Sequence, residues 1–213
     1  MDALSRHEDY GHLALTESDL DADPIAQLAQ WVTEADEFGV YEPNAMVVGT
    51  VDQNGNPNSR TVLLRGIDAR GLIFFTNYES RKGRAISAHS RVSALFGWYA
   101  QHRQAIVEGV VSRISADESD SYFASRPHGS QVSAWASAQS QPVDGRGQLE
   151  EQFAEAEQRF EGVDVPRPEF WGGYLIFPLR IEFWSGRSSR RHDRVVFERR
   201  DPEAIWEVSR LQP

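Results

Sequence analysis

"AMVVGTVDQNGNPNSRTVLLRGIDARGLIFFTNY", residues 45–78, contains three β-rich runs separated by "DQNGNPN" and "DARG". The runs are dense in Val, Leu, Ile, Phe and Thr, and the separators carry the Asn-Gly and Gly signals of tight turns. An antiparallel meander is the simplest arrangement. Upstream, "PIAQLAQWVTEADEF" (24–38) spaces Ile25, Leu28, Trp31 and Val32 at helical intervals, with Asp23 as N-cap and Gly39 as stop. Downstream, Ser80 caps a short helix in "SRKGRAISAHS", and "RVSALFGWYA" and "RQAIVEGVVSRIS" supply two more strands. Ser115 and Glu118 form a capping box for a helix that ends at Pro127. "GQLEEQFAEAEQRFEG" places Leu149, Phe153, Ala156 and Phe160 on one helical face, and three strands close the chain in "WGGYLIFPLRIEFWSG", "DRVVFERR" and "AIWEVSRLQP". This pattern predicts a mainly β fold, an antiparallel barrel with peripheral helices. Residues 1–20 are expected to be an arm without fixed structure, and 21–213 a single domain.

The chain has 213 residues, no cysteine and a formal charge of −10. Lack of cysteine removes disulfides, thiolate nucleophiles and cysteine-bound metals together. The six histidines have no metal-ligand spacing, so no metal site is expected. An acidic balance argues against nucleic acid as partner. The sequence lacks an apolar run of about eighteen residues, and its N-terminus is acidic where a signal peptide would be basic, so no membrane association and a cytoplasmic location are expected. No Gly-rich nucleotide loop or nucleophile elbow occurs. Arginine makes up 21 of the 22 basic residues, so its clustering informs more than its presence.

Four clusters stand out. In "SRTVLLR" (59–65), strand alternation puts Arg60, Val62 and Leu64 on one face and Thr61, Leu63 and Arg65 on the other, so each face carries an arginine beside aliphatic side chains, which reads most plainly as edge arginines snorkelling off a barrel rim. In "TNYESRKGR" (76–84), a strand end and a helix start bring together free N–H groups, Arg81 and Lys82, the only lysine, which suits a phosphate monoester or an ordinary solvated helix start. In "YFASRPHGSQVSAWASAQSQP" (122–142), Tyr122 and Arg126 share a helix face with Ser130 just beyond Pro127, a second phosphate clamp or a polar loop. In "WSGRSSRRHDR" (184–194), Gly186 turns the chain and Arg190, His192 and Arg194 alternate onto one face of the next strand, with Arg191 and Asp193 opposite. A surface-charged loop is the plainer account of that last cluster.

In this order, these strings, with "EPNAMVVGTVD", "RQAIVEG", "FWGGY" and the terminal "RLQP", resemble the pyridoxamine 5'-phosphate oxidase family over nearly everything after residue 20. The resemblance implies an FMN-binding split β-barrel homodimer, with two flavins in clefts between the subunits. It implies flavin contacts at Arg60, Leu63, Arg65, Phe75, Thr76, Arg81, Lys82, Gln104, Gln139, Ser140, Trp184 and Arg194. Substrate contacts would fall to Arg65, Tyr122, Arg126 and Ser130, with Arg190 and His192 as the catalytic pair over the pyridine ring. The implied reaction passes hydride from C4' of pyridoxine or pyridoxamine 5'-phosphate to flavin N5, and O2 reoxidises the flavin with release of H2O2.

Two departures from the family pattern matter. Arg65 stands where the family commonly has lysine, exchanging a point charge for a planar fork. The N-terminal stretch "HEDYGHLALTESDL" is short of basic residues, which leaves the arm's part in covering the site open. Two alternatives remain: a phenazine-biosynthesis type of flavin oxidase on the same fold, and a flavin- or pyridoxal-phosphate-binding protein without turnover.

Overall fold

The computed structural model describes residue 4, residues 9–11 and residues 14–213. Helix α1 (Pro24–Glu37) is followed by strands β1 (Ala45–Val51), β2 (Pro57–Leu63), β3 (Gly66–Asp68) and β4 (Gly71–Asn77), then helix α2 (Arg81–Ala88). Strands β5 (Arg91–Trp98) and β6 (Arg103–Arg113) precede helices α3 (Ala116–Ala124), α4 (His128–Ala136) and α5 (Arg146–Arg159). Strands β7 (Trp171–Ser185), β8 (Asp193–Glu198) and β9 (Glu207–Arg210) end the chain.

The local signals act as expected. Asp23 accepts from the Ile25 N–H, Ser80 from the Gly83 N–H, and the Ser115–Glu118 capping box is closed in both directions. Each cap satisfies a helix N–H that would otherwise lack a partner, worth about 1 kcal/mol.

The strands form one antiparallel sheet in the order β2-β1-β5-β6-β7-β4-β3, with β8 on β7 and β9 on β8. The simple meander is therefore corrected. β1 and β2 pair as a hairpin, but β4 pairs with β7 at the other end of the order, and only the short β3 bridges the two. Only Leu64 and Arg65 separate β2 from β3, and Arg65 extends the β3–β4 hairpin by donating its N–H to the Ile73 carbonyl, so the two ends of the strand order are brought together and the sheet curls into a half-barrel.

β7 organises this arrangement. One edge runs along β6, while the other pairs with β4 over residues 171–176 and with β8 over residues 180–185. At the changeover the β6–β7 register shifts between Glu108 and Gly109. Gly109 is required there, because a Cβ would lie 2.0 Å from the Phe177 carbonyl oxygen.

Inside the barrel lie Leu28, Trp31, Met46, Val48, Phe74, Phe96, Trp98, Ile176, Ile181 and Phe183, all essentially inaccessible. Each such large side chain contributes about 1.5–3 kcal/mol of burial. Trp31 anchors α1 by meeting Phe183 edge-on at 4.9 Å and Trp98 at 6.0 Å. A second cluster, Phe123, Val132, Ala156, Phe160 and Trp171, packs α3, α4 and α5 outside. Two corrections fall here: α3 ends at Ala124, short of Pro127, and Pro127 is the N-cap of a further helix, α4, since proline's fixed φ suits a helix entry.

The expected arm over residues 1–20 falls partly outside the described residues. Those described include a 3-10 turn at Glu17–Asp19 and a buried Leu15. Among the described residues no helix is long and apolar enough to cross a membrane.

Candidate functional site

Where β2, β4, the start of α2 and the end of α3 converge, a cavity of about 370 Å³ is lined by Arg60, Leu63, Arg65, Phe75, Thr76, Lys82, Tyr122, Arg126, Gln139 and Trp171, among others. Four cations line it and no carboxylate does. Arg60 is held by neutral acceptors only: its Nη1 donates to the Val48 carbonyl and Thr50 Oγ1, both at 2.9 Å, and its Nη2 to Asn58 Oδ1 at 2.6 Å. Lys82 Nζ donates to Gln139 Oε1 at 2.6 Å and Thr76 Oγ1 at 3.0 Å. Burial, with Arg60 adding repulsion, pushes the Lys82 ammonium down to about 8.

Arg126 lies over the Trp171 ring at 4.6 Å, and its buried Nη1 has no hydrogen-bond partner. Burial lowers its pKa, and Arg65 adds to the effect while Tyr122 opposes it. Burial and Arg81 likewise lower that of Arg60. Half-buried cations with no carboxylate beside them favour an anion at this place. Phe75 and Tyr122 stack at 3.7 Å and 14°, with Trp171 nearly parallel beyond, so one wall is a flat aromatic face.

Three residues expected beside this cavity do not line it. Arg81 borders an adjoining hollow with Asp52 and Arg84, Ser130 sits in the first turn of α4, and Ser140 is exposed with a φ of 71° beside Gln139.

A second group forms on β6, β7 and β8. Gln104 pairs with Trp184 and Trp184 with Arg194, so the three make one row across the sheet. Arg194 Nε donates to Glu182 Oε1 at 2.6 Å. Burial alone would raise the Glu182 carboxyl, but Arg194 and Arg180 outweigh it and hold the group below its ordinary value. No hydrogen bond among the described residues joins this row to the cation cavity.

The alternation expected for Arg190, His192 and Arg194 is corrected. β8 begins only at Asp193, and Ser188–Arg190 is a 3-10 turn with Ser189 and Arg190 at positive φ. The turn's own bond runs from the Arg191 N–H to the Ser188 carbonyl at 3.2 Å, and the Arg187 N–H donates across its base to His192 Nδ1 at 3.0 Å. That bond places the proton of a neutral imidazole on Nε2. Arg190 is exposed, and the His192 ring lies 4.7 Å from that of Trp184.

Sequence reasoning assigned no role to Tyr10 or His102. The Tyr10 ring packs 4.6 Å from His102, 5.7 Å from His192 and 6.2 Å from Trp184. Gly186 makes room for it, since a Cβ there would lie 2.8 Å from the tyrosine ring. Close approach, more than the expected turn, is what that glycine provides.

A curled antiparallel half-barrel with a cationic, carboxylate-free cavity walled by flat rings defines a class: split-barrel proteins with a cavity suited to an anion. Comparison with known proteins narrows the class. Residues 32–160 match the family described as pyridoxamine 5'-phosphate oxidase, and residues 171–213 match the pyridoxine 5'-phosphate oxidase C-terminal dimerisation region. The chain belongs to the pyridoxamine 5'-phosphate oxidase family. A pyridoxine/pyridoxamine 5'-phosphate oxidase of Rubrobacter xylanophilus is 51% identical over 100% of this chain and 97% of its own length. One of Cupriavidus taiwanensis is 52% identical over 94% of this chain and 93% of its own. Among solved structures, PhzG from Burkholderia lata 383 in complex with tetrahydrophenazine-1-carboxylic acid matches with a TM-score of 0.88, 32% identity, and 96% and 100% coverage of this chain and its own. A pyridoxamine 5'-phosphate oxidase-related, FMN-binding protein from Nostoc punctiforme matches in fold, with a TM-score of 0.70, 16% identity, and 91% and 100% coverage.

Proposed function

We propose that the protein oxidises pyridoxine or pyridoxamine 5'-phosphate to pyridoxal 5'-phosphate, using FMN and O2 and releasing H2O2. The observation that carries this reading is the set of half-buried cations without a carboxylate, Arg60, Lys82 and Arg126 beside the Phe75–Tyr122 stack, which fits phosphate esters of flat rings. FMN supplies the hydride acceptor, the part of the reaction no side chain here can perform.

The chain's own residues bind and orient. Arg60, Thr76, Arg81 and Lys82 hold the flavin phosphate, helped by the N-terminus of α2, and Leu63, Arg65, Phe75, Gln139 and Ser140 border the flavin. Tyr122, Arg126 and Ser130, with Arg65, take the substrate phosphate. Gln104, Trp184 and Arg194 close the flavin site from the other group, while Arg190 presses a fixed cation toward the substrate and His192 offers its Nε2 proton. The two groups lie apart on one chain and the C-terminal match is to a dimerisation region, so a homodimer with the flavin between copies accommodates both.

The test is anaerobic bleaching of the flavin-loaded protein by each B6 phosphate, followed by peroxide release on admitting air. No bleaching by either phosphate overturns the reading. The likeness to PhzG favours a second reading, oxidation of a tricyclic dihydrophenazine, which predicts rapid bleaching by that class and negligible bleaching by B6 phosphates. A flavin- or pyridoxal-phosphate-binding protein without turnover would give neither bleaching nor peroxide.

A further inference from the structure

Asp193 is buried, between His192 and Arg194 in sequence, and its carboxylate collects donors from the N-terminal segment, the preceding turn and the last strand. Oδ2 accepts from the Leu15 N–H at 3.0 Å and from Arg187 Nη1 at 3.4 Å, and Oδ1 accepts from Arg210 Nη1 at 2.7 Å. Arg210 returns to the N-terminal segment, donating through Nη2 to the Leu15 carbonyl at 2.9 Å and to Glu17 Oε2 at 3.1 Å. Leu15 is thus gripped by both of its backbone polar groups.

A second attachment lies a few residues earlier, where the Gly11 carbonyl accepts from the Ser188 N–H at 2.8 Å. Between and beside these points the Tyr10 ring rests near His192 and Trp184. The turn from Arg187 to Arg191 is therefore held on one side by the N-terminal segment and on the other by Asp193. Arg187 is the shared member: its side chain binds Asp193, and its backbone N–H fixes Nδ1 of His192.

We propose that Asp193 is a positioning residue for the reaction, acting through Arg187 and the Leu15 strap to hold the His192 imidazole in its Nε2–H form against Trp184. This rests on the proposed oxidase function for its catalytic consequence, but not for its geometric one. A neutral imidazole without its Nδ1 donor exchanges tautomers freely, and a loosened turn no longer presents Nε2 at a fixed place. Coupling of this kind makes two substitutions non-additive.

Two measurements test it. The first is the ¹⁵N spectrum of histidine-labelled protein above the imidazole titration range, with His192 assigned by its loss in His192→Gln. Parent protein is expected to show a pyridine-like Nδ1 and a protonated Nε2, and Asp193→Asn to show averaged nitrogens. An unchanged His192 pattern in Asp193→Asn overturns the proposal, whatever the protein oxidises. The second is a double-mutant cycle on kcat/KM with pyridoxine 5'-phosphate. Asp193→Asn is expected to lose about tenfold in the parent but less than about twofold in the His192→Ala background, with flavin affinity unchanged in both. Equal losses in both backgrounds would mean a general structural role and overturn it.

Should Asp193→Asn fail to fold, Arg210→Gln removes one donor from the half-exposed side of the clamp, and a smaller shift in the same two readouts is expected. No shift in either overturns the proposal. A parent that binds flavin but leaves B6 phosphates untouched fails the functional reading alone, because the tautomer measurement still decides the role of Asp193.

Discussion

Lys82 should make flavin binding pH-dependent in a window set by its burial. Its ammonium titrates near 8 in the free protein, against 10.5 for an ordinary lysine. Below 8 the group is charged and attracts phosphate; above 8 it has shed its proton and can only donate as a neutral amine. If a bound phosphate ester restores the ordinary value, binding takes up a proton, and FMN affinity falls about tenfold between pH of about 7 and 9. Fluorescence titration of FMN into flavin-free protein measures this directly. Riboflavin, which lacks the phosphate, should bind with little dependence on pH, and Lys82→Met should bind FMN more weakly at neutral pH with the step abolished. Stability of the flavin-free protein should move the opposite way. Between about 8 and 10.5 the unfolded chain holds more protons than the folded one, so stability rises with pH there and loses this contribution as pH falls toward 8. An FMN affinity equal at both pH values, or a step that survives in Lys82→Met, would refute the reasoning.

Co-expressing Arg126→Ala and Arg190→Ala chains should restore about a quarter of parental activity if each site draws on both copies, since half of the randomly mixed dimers would carry one intact site. Sites formed within one chain would give no recovery. Arg190→Ala alone should lower turnover by about 100-fold while the protein stays yellow, because the side chain is exposed and outside the cation cavity; a colourless protein would mean its role is misplaced. Gly83→Ala should destabilise by about 1–3 kcal/mol, since the added Cβ would sit 2.0 Å from the Tyr78 carbonyl oxygen, and an unshifted thermal melt would contradict that.

Features set by neighbours in the chain could be read from it. The caps at Asp23, Ser80 and Ser115 each depend on a side chain and an N–H two or three residues away, so composition exposes them. The separation of β2 from β4 could not be read, because it depends on β7, about a hundred residues downstream, taking the place a meander gives to β2. The break in the Arg190–Arg194 alternation was hidden for a different reason. Ser189 and Arg190 take up left-handed backbone without glycine, and the bond that offsets this comes from His192 Nδ1, whose type alone does not say that it will accept from Arg187. The cavity's residues were legible as clusters, yet their convergence and the exclusion of Arg81 from the lining come from tertiary curvature. The nearness of Tyr10 to His192 joins positions far apart in sequence and leaves only an indirect trace, the small residue at Gly186.

The double duty of β7 separates what can vary from what cannot. Its first half carries the pairing that shapes the cation cavity, its second half carries the row beneath His192, and Gly109 pins the register between them. The turn after Ser185 hangs from the far end of that strand, beyond the pinned register. Insertions or exchanges between Gly186 and His192 can therefore reshape the face presented to a substrate without shifting the cavity by a residue. Under the proposed function, such changes would alter which substrate the site takes while leaving the cation cavity as it is.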